Sequence, residues 1–164
     1  MEKKYKSYDN ASIVGYIVLL GFFVVYQIFT SIFAYMPILF GVLFCYMCYL
    51  LKEQEKSLYQ LDFRWYFALA YLVFIDIVHN FYIFSSWIAF FVFYYVCADW
   101  IKTNLKIGKL VPVIFVVNAY VFVYLFDAVL SYIDNKSIKD LSFEYLIFII
   151  IESYISYVFF KDKL

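Results

Sequence analysis

The sequence predicts an all-α, polytopic membrane protein with six transmembrane helices and both termini on the inner side. Three observations predict it. The 164 residues are 67% hydrophobic and have a mean hydropathy of +0.84, more apolar surface than a soluble domain of this size hides beneath its polar shell. The apolar residues form continuous runs, which selects helices over the every-second-residue alternation of a membrane β-barrel. These runs divide into six segments, at about residues 12–32, 35–51, 63–80, 85–101, 111–132 and 142–160. Each is close to the roughly 20 residues, with about 17 as the lower limit, that cross a bilayer.

The chain opens on a short polar leader, MEKKYKSYDN, with three lysines. The first apolar run that follows is longer than a 7–15 residue signal core and shows no small-x-small cleavage site, so it reads as an uncleaved first helix. Pro37 opens the second span at a position where a helix tolerates proline. KEQEKSLYQLDFR, the most polar stretch, reads as a loop. Asp62 is placed to cap the third span, and Ser85 or Ser86 the fourth. These two spans form a tight hairpin whose turn lies around residues 80–85. Residues 102–109 form a second basic loop, with Gly108 breaking the helix, and Pro112 starts the fifth span. DNKSIKD is a polar turn, and the sixth span carries Glu144 near its start and Glu152 near its middle.

Orientation follows from the positive-inside rule. With the N-terminus inside, the inner segments hold eleven basic residues: Lys3, Lys4 and Lys6, then Lys52, Lys56 and Arg64, then Lys102, Lys106 and Lys109, and finally Lys161 and Lys163. The outer segments hold Lys136 and Lys139. A missed or invented span would scramble that division. The longest loop has about a dozen residues, so the sequence offers no extramembrane catalytic domain. No phosphate-binding, dinucleotide or zinc-protease motif occurs. The net charge is zero, which excludes a basic nucleic-acid patch. Nor does an internal repeat suggest a transporter of inverted halves.

Charged groups inside a bilayer cost about 2.5–3.5 kcal/mol each on insertion scales, so those present need a reason. Asp76, His79 and Asn80 fall at i, i+3 and i+4 and share one helix face. Asp127 lies in the outer half of the fifth span, at similar depth to Asp76, and Glu152 near mid-membrane. These five are the candidate intramembrane polar contacts. Three readings compete for them: a proton or ion path, a helix–helix or subunit contact, and an outer-edge location in reach of water. Few glycines, and prolines at helix starts alone, weigh against a water-filled transport path. No catalytic residue, cofactor site or metal site is expected. His79 is the sole histidine, with no partners for a triad beyond carboxylates, and the aspartates lack the glycine context of an intramembrane aspartyl protease. Cys45 and Cys48 form a CxxC without a second pair or a nearby histidine, and read as small packing residues facing lipid or neighbouring helices. The aromatic fraction is 26%. Together with a strong preference for lysine over arginine it reflects an AT-rich genome, so the aromatics read as bulk and interface anchors.

Two features carry a family resemblance. Pro37 leads into the second apolar run, MPILFGVLFCYMCYL. Asp76 then sits at the aspartate position of a later helix, in FALAYLVFIDIVHNFYIFSSWIAFFVFYYV, followed by a short turn and another span. In layout the chain resembles the MreD family of rod shape-determining proteins. It departs from that pattern in having Ala68 and Ala70 where glycines usually precede the aspartate, and aromatics with Ser85 and Ser86 in the turn. The resemblance implies a non-catalytic scaffold of the cell-elongation machinery in the bacterial cytoplasmic membrane. Its implied partners are an MreC-type protein and the enzymes of peptidoglycan synthesis, and the Asp76–His79–Asn80 face would dock a partner or another helix of the same chain. The alternative is the substrate-binding membrane subunit of a vitamin or metal importer, which would need a deep outward pocket and a small-residue face; Ala11 and Gly15 are the obvious small-xxx-small pair.

Overall fold

In a computed structural model the described residues are 10–33, 35–57, 63–104, 108–139, 142–161 and 163–164. They are all-helical, with no strand among them. Helix α1 spans Asn10–Ile32, α2 Phe40–Ser57 and α3 Phe63–Val78. Helix α4, Ser85–Val92, runs through a π-helical stretch, Phe93–Ala98, into α5, Asp99–Asn104. A short 3₁₀ turn, Gly108–Leu110, leads into α6, Val111–Ile133, and α7 covers Glu144–Phe160. Among the described residues one run, Gly108–Ile133, is long and apolar enough to cross a membrane; Gly21–Ile32 and Ser85–Ala98 are shorter apolar runs.

Helix α6 is the hub, packing on α4, α2 and α7, while α1 touches mainly α3. Aromatic rings fill the core. Phe44 lies edge-on to Phe90 at 5.2 Å, Phe93 to Phe115 at 5.0 Å, and Phe40 bridges Phe81 and Tyr120. Ring pairs in such offset and edge-on geometry add about 0.5–1.5 kcal/mol beyond area burial. Gly41 brings α2 against α6: a Cβ there would stand 2.5 Å from Val116 Cγ1.

Helix α2 departs from the expected second span at both ends. Pro37 does not open it. The chain stays irregular to Leu39, whose φ of 75° is left-handed, and the helix begins at Phe40. At its other end α2 continues through Lys52–Ser57, which the sequence suggested was loop; Lys, Glu and Gln are strong helix formers and carry it past the apolar run. There Lys52 Nζ donates to the carbonyl oxygens of Lys163 and Leu164, at 3.0 and 2.7 Å. Arg64 at the start of α3 pairs with Glu53 at 3.5 Å, tying three helices at this end. The helical run at the expected fourth span likewise continues to Asn104, three residues beyond the expected end at 101. The expected cap Asp62, the link at 58–62 and Lys106 lie outside the described residues.

Candidate functional site: three internal carboxylate caps

The five candidate residues do not form one cluster. Asp76, Asp127 and Glu152 are all buried, and each carboxylate meets backbone N–H groups at the start of a helix or in a turn.

Helix α4 has no capping side chain of its own. Its N-cap is Phe84, in the left-handed region at φ 71°, so Ser85 and Ser86 fall inside the first turn and not at the capping position expected for them. Asp76 supplies the cap from α3. Its Oδ2 accepts from Ser86 N at 3.3 Å and Ser86 Oγ at 2.8 Å, and Oδ1 accepts from Ser85 Oγ at 3.5 Å. This satisfies an orphan donor of the first helical turn and places negative charge at the positive end of the helix dipole. Trp87 Nε1 donates to the Leu69 carbonyl at 2.8 Å and closes the hairpin lower down. Asp127, on α6, holds the same turn from the other side, its Oδ1 accepting from Tyr82 N at 2.6 Å. The two aspartates therefore serve one turn through separate backbone and side-chain partners.

His79 and Asn80 leave Asp76. A shared face at i, i+3 and i+4 needs a continuing helix, and α3 ends at Val78. Asn80 takes φ 56°. Asn80 N donates to Ile77 O at 3.3 Å and Phe81 N to Asp76 O at 2.8 Å, the paired bonds of a Schellman cap with asparagine at the left-handed position. Asn135 ends α6 identically, with φ 52° and bonds from Asn135 N to Tyr132 O and Lys136 N to Ser131 O. Asn80 thus acts through its backbone, and its side chain is exposed. His79 turns to α1, with Nε2 2.9 Å from Thr30 Oγ1. The Thr30 hydroxyl donates to Gln27 O at 2.8 Å, so His79 Nε2 carries the hydrogen in that contact.

Lys139, beyond α6, reaches back over the same turn. Its Nζ donates to the His79 carbonyl and stands 3.9 Å from the centre of the Phe81 ring. A cation on the last carbonyls of a helix complements the dipole. Burial pushes the Lys139 ammonium below the usual lysine range, and Asp127 opposes that fall.

Glu152 lies apart from the aspartates and is fully buried. Oε1 accepts from Leu39 N at 2.6 Å and from the Tyr120 hydroxyl; Oε2 accepts from Gly41 N at 2.7 Å and Val42 N at 3.3 Å. It is the N-terminal cap of α2, supplied by α7. The carbonyls of the same segment are taken by α1. Tyr26 Oη donates to Pro37 O at 2.8 Å, and Gln27 Nε2 to Ile38 O at 3.5 Å. Nearby, Cys45 and Cys48 are both fully buried, and Cys45 Sγ lies 3.5 Å from Pro112 O.

The residues that sequence reasoning passed over are the partners of these groups. Tyr26, Gln27 and Thr30 make one polar stripe on α1, and Gln27 and Thr30 were visible as polar residues inside an apolar run. Tyr71 Oη lies 3.1 Å from Phe23 O and 3.0 Å from Gln27 Oε1. Tyr71 and Tyr120 were read as bulk, and no signal in the sequence separates them from the other tyrosines. This stripe joins α1 to the segment before α2 and to α3. Tyr71→Phe and Thr30→Val are each expected to cost about 0.6–2 kcal/mol, the range for hydrogen bonds between helices in membranes. Thermal unfolding in mild detergent measures this; an unchanged midpoint for both variants would mean that packing alone holds α1.

Among the described residues no group of three or more histidine, cysteine, aspartate or glutamate side chains is placed to hold a metal ion. The chain matches no family model, and neither curated proteins nor solved structures give a significant match.

Proposed function

We propose that this chain is a non-catalytic scaffold of a bacterial cytoplasmic membrane, crossing it six times with both termini inside, and that it organises peptidoglycan synthesis with an MreC-type partner. The observation that carries the non-catalytic part is the use of the carboxylates. Asp76, Asp127 and Glu152 are each spent on backbone N–H groups of the chain itself. An ion path or an acid–base site needs such groups turned toward a ligand or water. Here they serve the fold, which favours the contact reading over transport or catalysis.

Two features support the membrane reading. Large apolar side chains are exposed along the helices, among them Phe22, Val121, Leu125, Ile150 and Val158, far more than a monomeric soluble protein leaves uncovered. The dimensions also agree. Glu152 lies eight residues, about 12 Å of helix, in from the start of α7. Phe40 begins α2 level with it, and Leu51 lies about 17 Å further on. Together these distances make up a hydrocarbon core of about 30 Å, and Lys52 follows at its edge. The irregular segment 37–39 then sits at membrane depth, where such backbone is tolerated when buried in protein.

The partner assignment rests on the resemblance of the Pro37 and Asp76 segments to the MreD family. Since Asp76 is enclosed by its own hairpin, partner contact falls to other surfaces of the bundle. Affinity purification of the tagged chain in mild detergent, with mass spectrometry of proteins and small molecules, tests the assignment. Recovery of an MreC-type protein or wall-synthesis enzymes is expected. Recovery of a transport ATPase or a bound vitamin would replace this reading with the importer-subunit one.

A further inference from the structure

The two hairpins α1–α2 and α3–α4 solve one problem in different ways. Each second helix starts after a bulky residue in the left-handed region, Leu39 or Phe84, and neither start carries its own Ser, Thr, Asp or Asn at the cap. For α4 the cap is Asp76, ten residues before Ser86 on the preceding helix, so it is present as soon as the hairpin closes. For α2 the cap is Glu152, more than a hundred residues later. Glu152 meets three of the N–H groups at that start, Leu39, Gly41 and Val42, and is itself held by Tyr120 of α6. Gly41, Phe40 and Glu152 are buried, and Leu39 and Val42 are half-buried. A buried donor without a partner is strongly unfavourable.

We infer that Glu152 is a latch between the two ends of the chain: the central hairpin is self-capped, whereas α2 seats stably only when α7 places Glu152 on its first turn. The inference rests on the fold alone and is independent of the function proposed above. It assigns Glu152 a conformational role, in which α2 is the element released when the latch is undone. The α3–α4 hairpin, with Asp76 and the Trp87–Leu69 bond intact, stays closed.

Thiol alkylation of the full chain tests this. Cys45 and Cys48 are fully buried on α2 and report its seating. Ala89→Cys, at a fully buried position on α4, reports the central hairpin. With N-ethylmaleimide, Glu152→Ala is expected to speed modification of Cys45 and Cys48 on the order of tenfold, the effect of losing at least one buried hydrogen-bonded partner on a local opening equilibrium. The thiol at position 89 should keep its protection. Glu152→Gln retains one acceptor oxygen and should fall between the two; if the alanine variant does not accumulate, Glu152→Gln alone still gives the comparison. Equal protection of Cys45 and Cys48 in wild type and variants overturns the inference. So does equal acceleration at position 89, because Glu152 would then support the whole bundle and not α2 in particular.

Discussion

Replacing Asp76 with alanine is expected to lower the unfolding midpoint in mild detergent by roughly 4–8 °C, corresponding to about 2 kcal/mol for a chain of this length. The loss has one cause. Ser86 N and the Ser85 and Ser86 hydroxyls are fully enclosed and lose their acceptor together. A buried donor left without a partner costs about 1–3 kcal/mol, and removal of a helix N-cap typically about 1 kcal/mol. Asp76→Asn keeps one acceptor oxygen and should lose less than half as much. Leucine fills the volume without accepting a hydrogen bond, so Asp76→Leu should behave like alanine. If leucine instead matched the wild type, Asp76 would be a space-filling residue and the capping account would fail.

Gly41 is expected to be the least replaceable small residue of the bundle. A Cβ at this position would lie 2.5 and 2.8 Å from the two Cγ atoms of Val116 and 2.9 Å from its Cβ. Those atoms belong to a short β-branched side chain on the hub helix, with no flexible end to swing aside. Gly41→Ala must therefore push α2 away from α6, at about 1–3 kcal/mol for overpacking. The same displacement draws Gly41 N from Glu152, 2.7 Å away, so the cap weakens too. Gly41→Leu should prevent stable folding, read as loss of the monodisperse species in detergent. Val116→Ala removes the two closest atoms but keeps the Cβ at 2.9 Å, so it should recover part of the loss when combined with Gly41→Ala. A double variant no more stable than the Gly41→Ala single variant would place the strain elsewhere.

Much of the helical layout can be read directly from hydropathy. The boundaries of α1, α3, α6 and α7 fall within about two residues of the apolar runs at 12–32, 63–80, 111–132 and 142–160, because an uninterrupted apolar run bounded by polar residues has few other ways to satisfy its backbone. The start of α2 was not legible in this way. Pro37 is a local signal for a first helical position, whereas the helix begins where a distant acceptor meets its free N–H groups. The end of α2 was missed for the opposite reason: propensity carries Lys52–Ser57 helical after hydropathy has ended.

The candidate residues divide along the same line. Composition alone marks Asp76, Asp127 and Glu152, since a carboxylate in an apolar run is costly wherever it goes. Its destination depends on which backbone donors are left over, and that is set by tertiary placement. Spacing put Asp76, His79 and Asn80 on one face, but periodicity holds only within a helix. The left-handed turn at Asn80 sends the three to α4, to α1 and to the surface. Asn80 and Asn135 were readable as end signals, both being asparagines that close long apolar runs. Tyr120, Lys139 and Gly41 were not, because each matters through a partner far away in the chain. Hydropathy and composition are enough to read the described residues as helical, to place most of their helices and to mark the residues that need a reason to be buried. What those residues do follows from the packing of the helices, because a hydrogen bond between helices depends on the distance between two atoms and not on their separation along the chain.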